Sequence, residues 1–276
     1  MNALADALTD LFGRLGVKHG EILLVHSGTG PLGNLIGDDS VPPSEAVKAL
    51  HEALTRTLGP EGTIVAPSFF YDYARKGKPF ILERSRPDTS LGFYPLHMFG
   101  LEGCKRSLNP IGSLQAMGRQ AEIVCAHTSA YGFGLASPWA RLVDLDARCL
   151  IIGTPFIMTF IHHVEALVGT PQIYNKIHRI PVIVAGKEID LPVITAIRYL
   201  KYGISYTMET VERDLIERGV IKTVTESGVN AQLVSLRDVQ DMIFEKLLAD
   251  PYYMLERAPE FVPGEPPDDG AQRDRE

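Results

Sequence analysis

Residues 21–30 read Glu21-Ile22-Leu23-Leu24-Val25-His26-Ser27-Gly28-Thr29-Gly30. The run Ile22–Val25 is apolar without interruption and too short for an ordinary helix, which is the signature of a strand buried on both faces. Glycines at 28, 30, 33 and 37 then open a loop. Beyond it, Ser44 to Leu58 carries Ala46, Ala49, Leu50, Ala53, Leu54 and Leu58 at helical spacing, with Ser44 as the expected cap. Gly59-Pro60-Glu61-Gly62 is a turn, and Thr63 to Pro67 a second short strand. A strand–loop–helix–turn–strand unit predicts an α/β core.

Working outward, Leu4, Leu8, Leu11, Phe12 and Leu15 predict an N-terminal amphipathic helix stopped by Gly16. Residues 69–106 form a long irregular insert, rich in aromatic residues, Arg, Pro and Gly, of the kind that binds something or lacks order. A short strand is expected near Ile111–Leu114 and a helix over Arg119–Cys125. Ala147–Ile152 reads as another buried strand, ended by Gly153. Thr159–Val168 reads as a helix. Arg179–Ala185 and Glu188–Val193 flank Gly186-Lys187 as a hairpin, and Val211–Arg218 and Asp238–Leu248 as helices. The expected organisation is one domain over residues 1–261 and a disordered tail over 262–276, which is rich in Pro, Gly and charge. No internal repeat is visible.

The 276 residues are 45% hydrophobic and 22% charged, which excludes a disordered chain, a collagen or a coiled coil. Lys and Arg number 27 against 34 Asp and Glu, a formal charge of −7. That balance argues against a nucleic-acid partner, which needs basic patches to neutralise phosphate. It says little about a small substrate, because the tail alone holds five carboxylates against two arginines while the insert is locally basic. Three cysteines, none in a Cys-x-x-Cys pair, give neither a disulfide framework nor a structural zinc site, and point to a reducing cytoplasm. The first residues lack the basic and apolar regions of a signal peptide. No apolar run approaches the ~20 residues of a membrane span.

The sharpest constellation for chemistry is Thr159-Phe160-Ile161-His162-His163-Val164-Glu165. His162 and Glu165 stand i and i+3, so a helix puts them on one face. The carboxylate can then fix the imidazole tautomer and leave the other ring nitrogen free as a general base. Exposed surface residues would give the same spacing, and His162, His163 and Glu165 together could bind a metal. The loop His26-Ser27-Gly28-Thr29-Gly30 follows a strand, where backbone N–H groups and hydroxyls suit a pyrophosphate, or it simply connects. It matches neither a dinucleotide fingerprint nor a P-loop. Arg106-Ser107, with Ser113, offers an arginine for phosphate or a surface charge. His127, Tyr131-Gly132-Phe133-Gly134 and Ser137-Pro138 form a further cluster, in which Ser-Pro starts a turn or helix.

Taken in order, the segments LLVHSGTGPLG, LGPEGTIVAPSF, RSLNPIGSLQAMG, YGFGLASP and CLIIGTPFIMTFIHHVE resemble the aminoglycoside 3-N-acetyltransferase family over more than half of the chain. The resemblance implies an α/β fold with a central mixed sheet flanked by helices, distinct from the small GNAT acetyltransferase fold. It implies acetyl transfer from acetyl-coenzyme A to a small-molecule amine, with no metal. It makes His162 the general base and Glu165 its orienting partner. It places His26, Ser27, Gly28, Arg106, Ser107, Ser113, Ser137 and Thr159 at the coenzyme A site. This chain has Asn109 where the family often has His, and Gly28-Thr29 where a second Ser is usual.

Aminoglycosides are polycations, which carboxylates would gather around. The insert instead offers Arg75, Arg84 and Arg86 among Phe70, Tyr71 and Tyr73. These residues form a solvated loop over an aromatic core, or they point to an anionic acceptor, such as a nucleotide-linked amino sugar, with Tyr199, Lys201, Tyr202 and Tyr206 as further lining. An aminoglycoside antibiotic is the alternative. A non-catalytic coenzyme A-binding protein and a metal hydrolase stand behind these, and a homodimer is left open.

Overall fold

The computed structural model describes residues 2–126 and 129–261. His127 and the 262–276 tail therefore lie outside the described residues. The helices are α1 (Ala3–Leu15), α2 (Pro43–Leu58), α3 (Asp72–Lys76), α4 (Phe93–Phe99), α5 (Ala121–Cys125), α6 (Pro138–Asp144), α7 (Ile161–Val168), α8 (Met208–Glu217) and α9 (Leu236–Ala249). The strands are β1 (Ile22–Ser27), β2 (Thr63–Pro67), β3 (Phe80–Ile81), β4 (Lys105–Arg106), β5 (Leu114–Gly118), β6 (Arg148–Ile152), β7 (Ile173–His178), β8 (Val182–Val184), β9 (Lys187–Ile189), β10 (Val193–Arg198), β11 (Ile221–Glu226) and β12 (Val229–Ser235).

Seven strands form the central sheet in the order β11-β12-β6-β1-β2-β5-β4. Its middle, β6-β1-β2, is parallel, and its flanks are antiparallel, so the sheet is mixed. Side chains alternate across the pleat. Ile22, Leu24, Val65, Cys149 and Ile151 face a layer built from α5 to α9, in which Trp139, Leu142, Val164, Val239 and Ile243 are buried. Leu23, Val25, Ile64, Leu150 and Ile152 face the opposite layer of α1, α2 and α4, with Leu8, Phe12, Leu50, Leu54 and Tyr94. The continuous apolar runs of β1 and β6 follow from this: a central strand must satisfy two apolar layers at once.

Several boundaries differ from the sequence reading. Helix α2 starts at Pro43 with Pro42 as its cap, so Ser44 sits inside the first turn and caps nothing; proline's fixed φ suits the first helical position. The strand expected at Ile111–Leu114 begins only at Leu114, because the Asn109 side chain binds the N–H groups of Ile111 and Gly112 and holds a turn there. The antiparallel pair β11-β12, a stretch to which the sequence reading assigns no element, extends the central sheet. Nor is the 69–106 insert a loose loop. It contributes α3, α4, β3 and β4, and β3 pairs with the predicted hairpin, now β8-β9, over a small core of Tyr73, Phe80, Val182 and Val193.

Candidate active site

The sheet register decides which segments meet. Strands β1, β2 and β6 run parallel, so the loops after Ser27, Pro67 and Ile152 emerge at one end. Antiparallel β5 begins at that same end, with Leu114 opposite Pro67, and Arg106 of β4 lies opposite Gln115. His26, Ser27, Gly28, Arg106, Ser107, Ser113 and the segment leading to His162 are thereby gathered beyond the carboxyl ends of the parallel strands, where α/β sheets place their ligands.

Gly28 and Gly153 bring two of these loops into backbone contact. The Gly28 N–H donates to the Ile152 carbonyl at 2.9 Å. A Cβ on Gly28 would lie 2.3 Å from the Gly153 carbonyl oxygen, and Gly153 itself has φ +64°. No side chain fits between them. Beside this contact, Ser27 Oγ and His26 Nε2 are buried without a hydrogen-bond partner, as is Ser68 Oγ after β2. Burial pushes the His26 imidazole down to about 4, so it is neutral at physiological pH.

Helix α7 carries the second part. His162 Nδ1 stands 2.7 Å from Glu165 Oε2, with the His162 side chain 36% exposed and that of Glu165 fully buried. A carboxylate only accepts, so Nδ1 carries the proton and Nε2 presents a lone pair. Tyr206 donates its hydroxyl to both Glu165 oxygens, at 2.8 and 3.0 Å, and Gln172 Nε2 donates to Oε1 at 2.8 Å. The rings of Phe133 and Tyr206 meet the imidazole edge-on, with centroids 5.6 and 5.5 Å away. His163 is buried and turned to another partner, the Phe133 carbonyl, at 2.7 Å. Among the described residues no group of three or more His, Cys, Asp or Glu is placed to hold a metal ion.

The remaining predicted residues separate into two kinds. Ser107 Oγ accepts from the Leu114 N–H, Ser113 Oγ donates to the Ser68 carbonyl, and Ser137 caps α6 through the Ala140 N–H. The Ser137 contact is local to the start of α6, whereas the first two tie one loop of this end of the sheet to another. Arg106 does the same from the insert, donating to the Ser85 and Ser68 carbonyls and lying over the Phe80 and Phe99 rings, and burial lowers its guanidinium to about 9. Thr159 precedes α7 and its carbonyl accepts from the His162 N–H at 3.2 Å. Of the aromatic residues in the insert, Tyr73 is fully buried and donates to the Ile180 carbonyl, and Phe70 packs beside it. Tyr71 is half-buried, with the Arg75 guanidinium 4.5 Å above its ring. Arg84 and Arg86 are exposed. Tyr206 joins His162, whereas Tyr199 and Tyr202 pack together with Phe261.

A cavity of about 550 Å³ is lined by Phe99, Cys104, Arg106 and Cys125 among others, and by none of the residues of α7. Burial pushes the Cys104 thiol up to about 11 and that of Cys125 up to about 12. Neither is a thiolate nucleophile at neutral pH. Gln172 is the participant that sequence reasoning missed. It lies seven residues beyond Glu165 and outside α7, and no local pattern marks it.

A family model described as aminoglycoside 3-N-acetyltransferase matches residues 24–247. The chain belongs to that family. An aminoglycoside N(3)-acetyltransferase III of Pseudomonas aeruginosa is 29% identical over 177 residues, covering 58% of this chain and 62% of that protein. The chain thus spans about three fifths of the length of the first curated relatives it matches. An aminoglycoside N(3)-acetyltransferase IV of a Salmonella species is 36% identical over 141 residues, 50% of this chain and 49% of that one. Among solved structures, the apoenzyme of the aminoglycoside acetyltransferase AAC(3)-IVa superposes with a TM-score of 0.71 at 26% identity, covering 91% of this chain and 90% of that one. AAC-IIIb in binary complex with CoASH superposes with a TM-score of 0.74 at 22% identity, covering 92% and 98%, and shares the fold. The mixed sheet flanked by helices is therefore that of the aminoglycoside 3-N-acetyltransferases. No described helix is long and apolar enough to cross a membrane.

Proposed function

We propose that this protein transfers an acetyl group from acetyl-coenzyme A to an amino group of an aminoglycoside, directly and with His162 as general base. The observation that carries the proposal is the 2.7 Å contact between His162 Nδ1 and the buried Glu165; the His162 side chain is itself partly exposed, and in this reading Nε2 is the basic atom. The amine nitrogen bonds to the thioester carbonyl carbon and gives its proton to the positioned imidazole, and the C–S bond breaks to release coenzyme A as a thiolate that takes up a proton. Glu165 stabilises the imidazolium that results and keeps the ring in one orientation. No side-chain nucleophile is needed for direct transfer, and the raised thiols of Cys104 and Cys125 suit that route.

Bound acetyl-coenzyme A supplies the acyl group as an activated thioester. The residues at the carboxyl ends of β1 and β2 fit such a donor. Ser27 Oγ and Ser68 Oγ are buried polar atoms without a partner, and Gly28 keeps the backbone bare where two loops close on each other. In this reading Ser27 and Gly28 contact the donor, His26 shapes the loop as a neutral ring, and Ser107, Ser113, Ser137 and Arg106 hold the surrounding loops in register.

For the acceptor, the comparisons favour an aminoglycoside over the nucleotide-linked amino sugar suggested by the basic insert. The structure also weakens the grounds for the latter, since Tyr73 and Phe70 serve a core. The second reading keeps one support: Arg75 stacks on Tyr71 and Arg198 lies 5.8 Å from the Tyr206 ring, close to His162. Coenzyme A release measured across kanamycin-type aminoglycosides and nucleotide-linked amino sugars separates the two. Turnover of the aminoglycosides, lost in His162→Ala, supports the proposal. Turnover of the nucleotide sugars alone would overturn the acceptor assignment, and full activity of His162→Ala would overturn the mechanism.

A further inference from the structure

A helix brings residues i and i+3 to one face but does not fix the rotamer of either. The carboxylate of Glu165 is fixed from outside its helix. An ionised carboxylate offers about four lone-pair positions. Here three donor hydrogens meet it: one from His162, one from Gln172, and the single Tyr206 hydroxyl hydrogen, shared between the two oxygens. Glu165 is completely buried, so these donors also replace the water it has lost. Removing one leaves the charge under-solvated and free to turn.

We infer that Tyr206 and Gln172 are positioning residues for the His162–Glu165 pair, acting on the imidazole through the carboxylate, an inference that rests on the proposed role of His162. Their own placement is set by remote segments. The Gln172 carbonyl accepts from the Tyr199 N–H at 3.2 Å. Tyr206 forms an isolated bridge with Leu255, and on either side the Thr207 N–H donates to Met254 at 2.9 Å while the Glu256 N–H donates to Ser205 at 3.1 Å. The segment around Met254–Glu256, beyond the residues matched by the family model, thus clamps the backbone that aims the tyrosine hydroxyl at the catalytic pair. The tyrosine hydroxyl remains a neutral donor, because burial and the neighbouring Glu165 charge both push its ionisation upward.

The test is Tyr206→Phe, which keeps the ring against His162 and removes only the hydroxyl, with Gln172→Met as a second variant that removes the other donor. Two readouts are needed. Steady-state kinetics should show kcat lowered roughly tenfold with KM for both substrates within about twofold, since the lost interaction orients the base and touches neither substrate. Independently of turnover, the Nδ1–H proton of His162, observed by NMR in ¹⁵N-histidine-labelled protein, should shift or broaden in both variants. An unchanged Nδ1–H signal and unchanged kcat in Tyr206→Phe would overturn the inference. If that variant does not fold, the same outcomes apply to Gln172→Met. A shifted Nδ1–H signal in a protein that acetylates no amine would uphold the positioning role and defeat the proposed function instead.

Discussion

Burial of His26 makes a prediction about acid stability that can be worked through. Its imidazole sits at the end of β1, 7% exposed, with Nε2 lacking any hydrogen-bond partner. Desolvation penalises only the charged ring, which lowers it from the ordinary 6.5 to about 4. In the unfolded chain the ring takes up a proton as pH falls below 6.5; in the folded chain it does not until about 4. The stability held by the neutral ring is therefore complete above 6.5 and is lost progressively as pH falls between those values. The full difference corresponds to about 3 kcal/mol, of which about 2 kcal/mol is gone by pH 5. The perturbation is His26→Phe, which keeps an aromatic ring and removes the titration. Urea unfolding of both proteins at pH 7.5 and pH 5 provides the measurement. The stability of wild type relative to His26→Phe should fall by about 2 kcal/mol between the two pH values. Equal pH dependence in the two proteins would refute the reasoning and mean that His26 is hydrated or paired in the folded state.

Other outcomes follow from the site. His162→Ala should lower kcat by about 10²–10⁴-fold while the fold is retained, with a modest drop in melting temperature because the substitution leaves buried Glu165 one donor short; steady-state kinetics and thermal unfolding check both halves. Glu165→Ala should cost less rate, since an imidazole remains, but more stability, since the buried donors of Tyr206 and Gln172 lose their acceptor; the same two measurements should rank the variants in opposite orders. Gly28→Ala should raise KM for acetyl-coenzyme A, because its Cβ would sit 2.3 Å from the Gly153 carbonyl and push the two loops apart; an unchanged KM would remove Gly28 from the donor site. Asn109→Ala should destabilise by roughly 2–4 kcal/mol in urea, as the buried N–H groups of Ile111 and Gly112 lose their acceptor and the tie to Ala130 is cut.

What could be read from the residues and what could not divides along physical lines. A central strand must be apolar on both faces, so Ile22–Val25 and Cys149–Ile152 announced themselves, and the unit from Glu21 to Pro67 implied the α/β class. The i, i+3 spacing of His162 and Glu165 was legible because a helix is a local object. Edge strands carry no such constraint: in β11, Lys222, Thr223 and Thr225 are exposed, and only pairing with β12 makes that segment a strand. Tyr73 of the insert could line a pocket or fill a core, and only its partners Val182 and Val193, a hundred residues away, make it core. By itself the sequence determined the apolar runs of the central strands and the shared helix face of His162 and Glu165, since each follows from periodicity or short-range spacing. Tertiary structure alone decided that Gln172 and Tyr206 close around Glu165, that Arg106 is a half-buried clamp, and that His26 is a neutral ring, because a hydrogen bond or a desolvation penalty depends on which distant segments exclude water from the group.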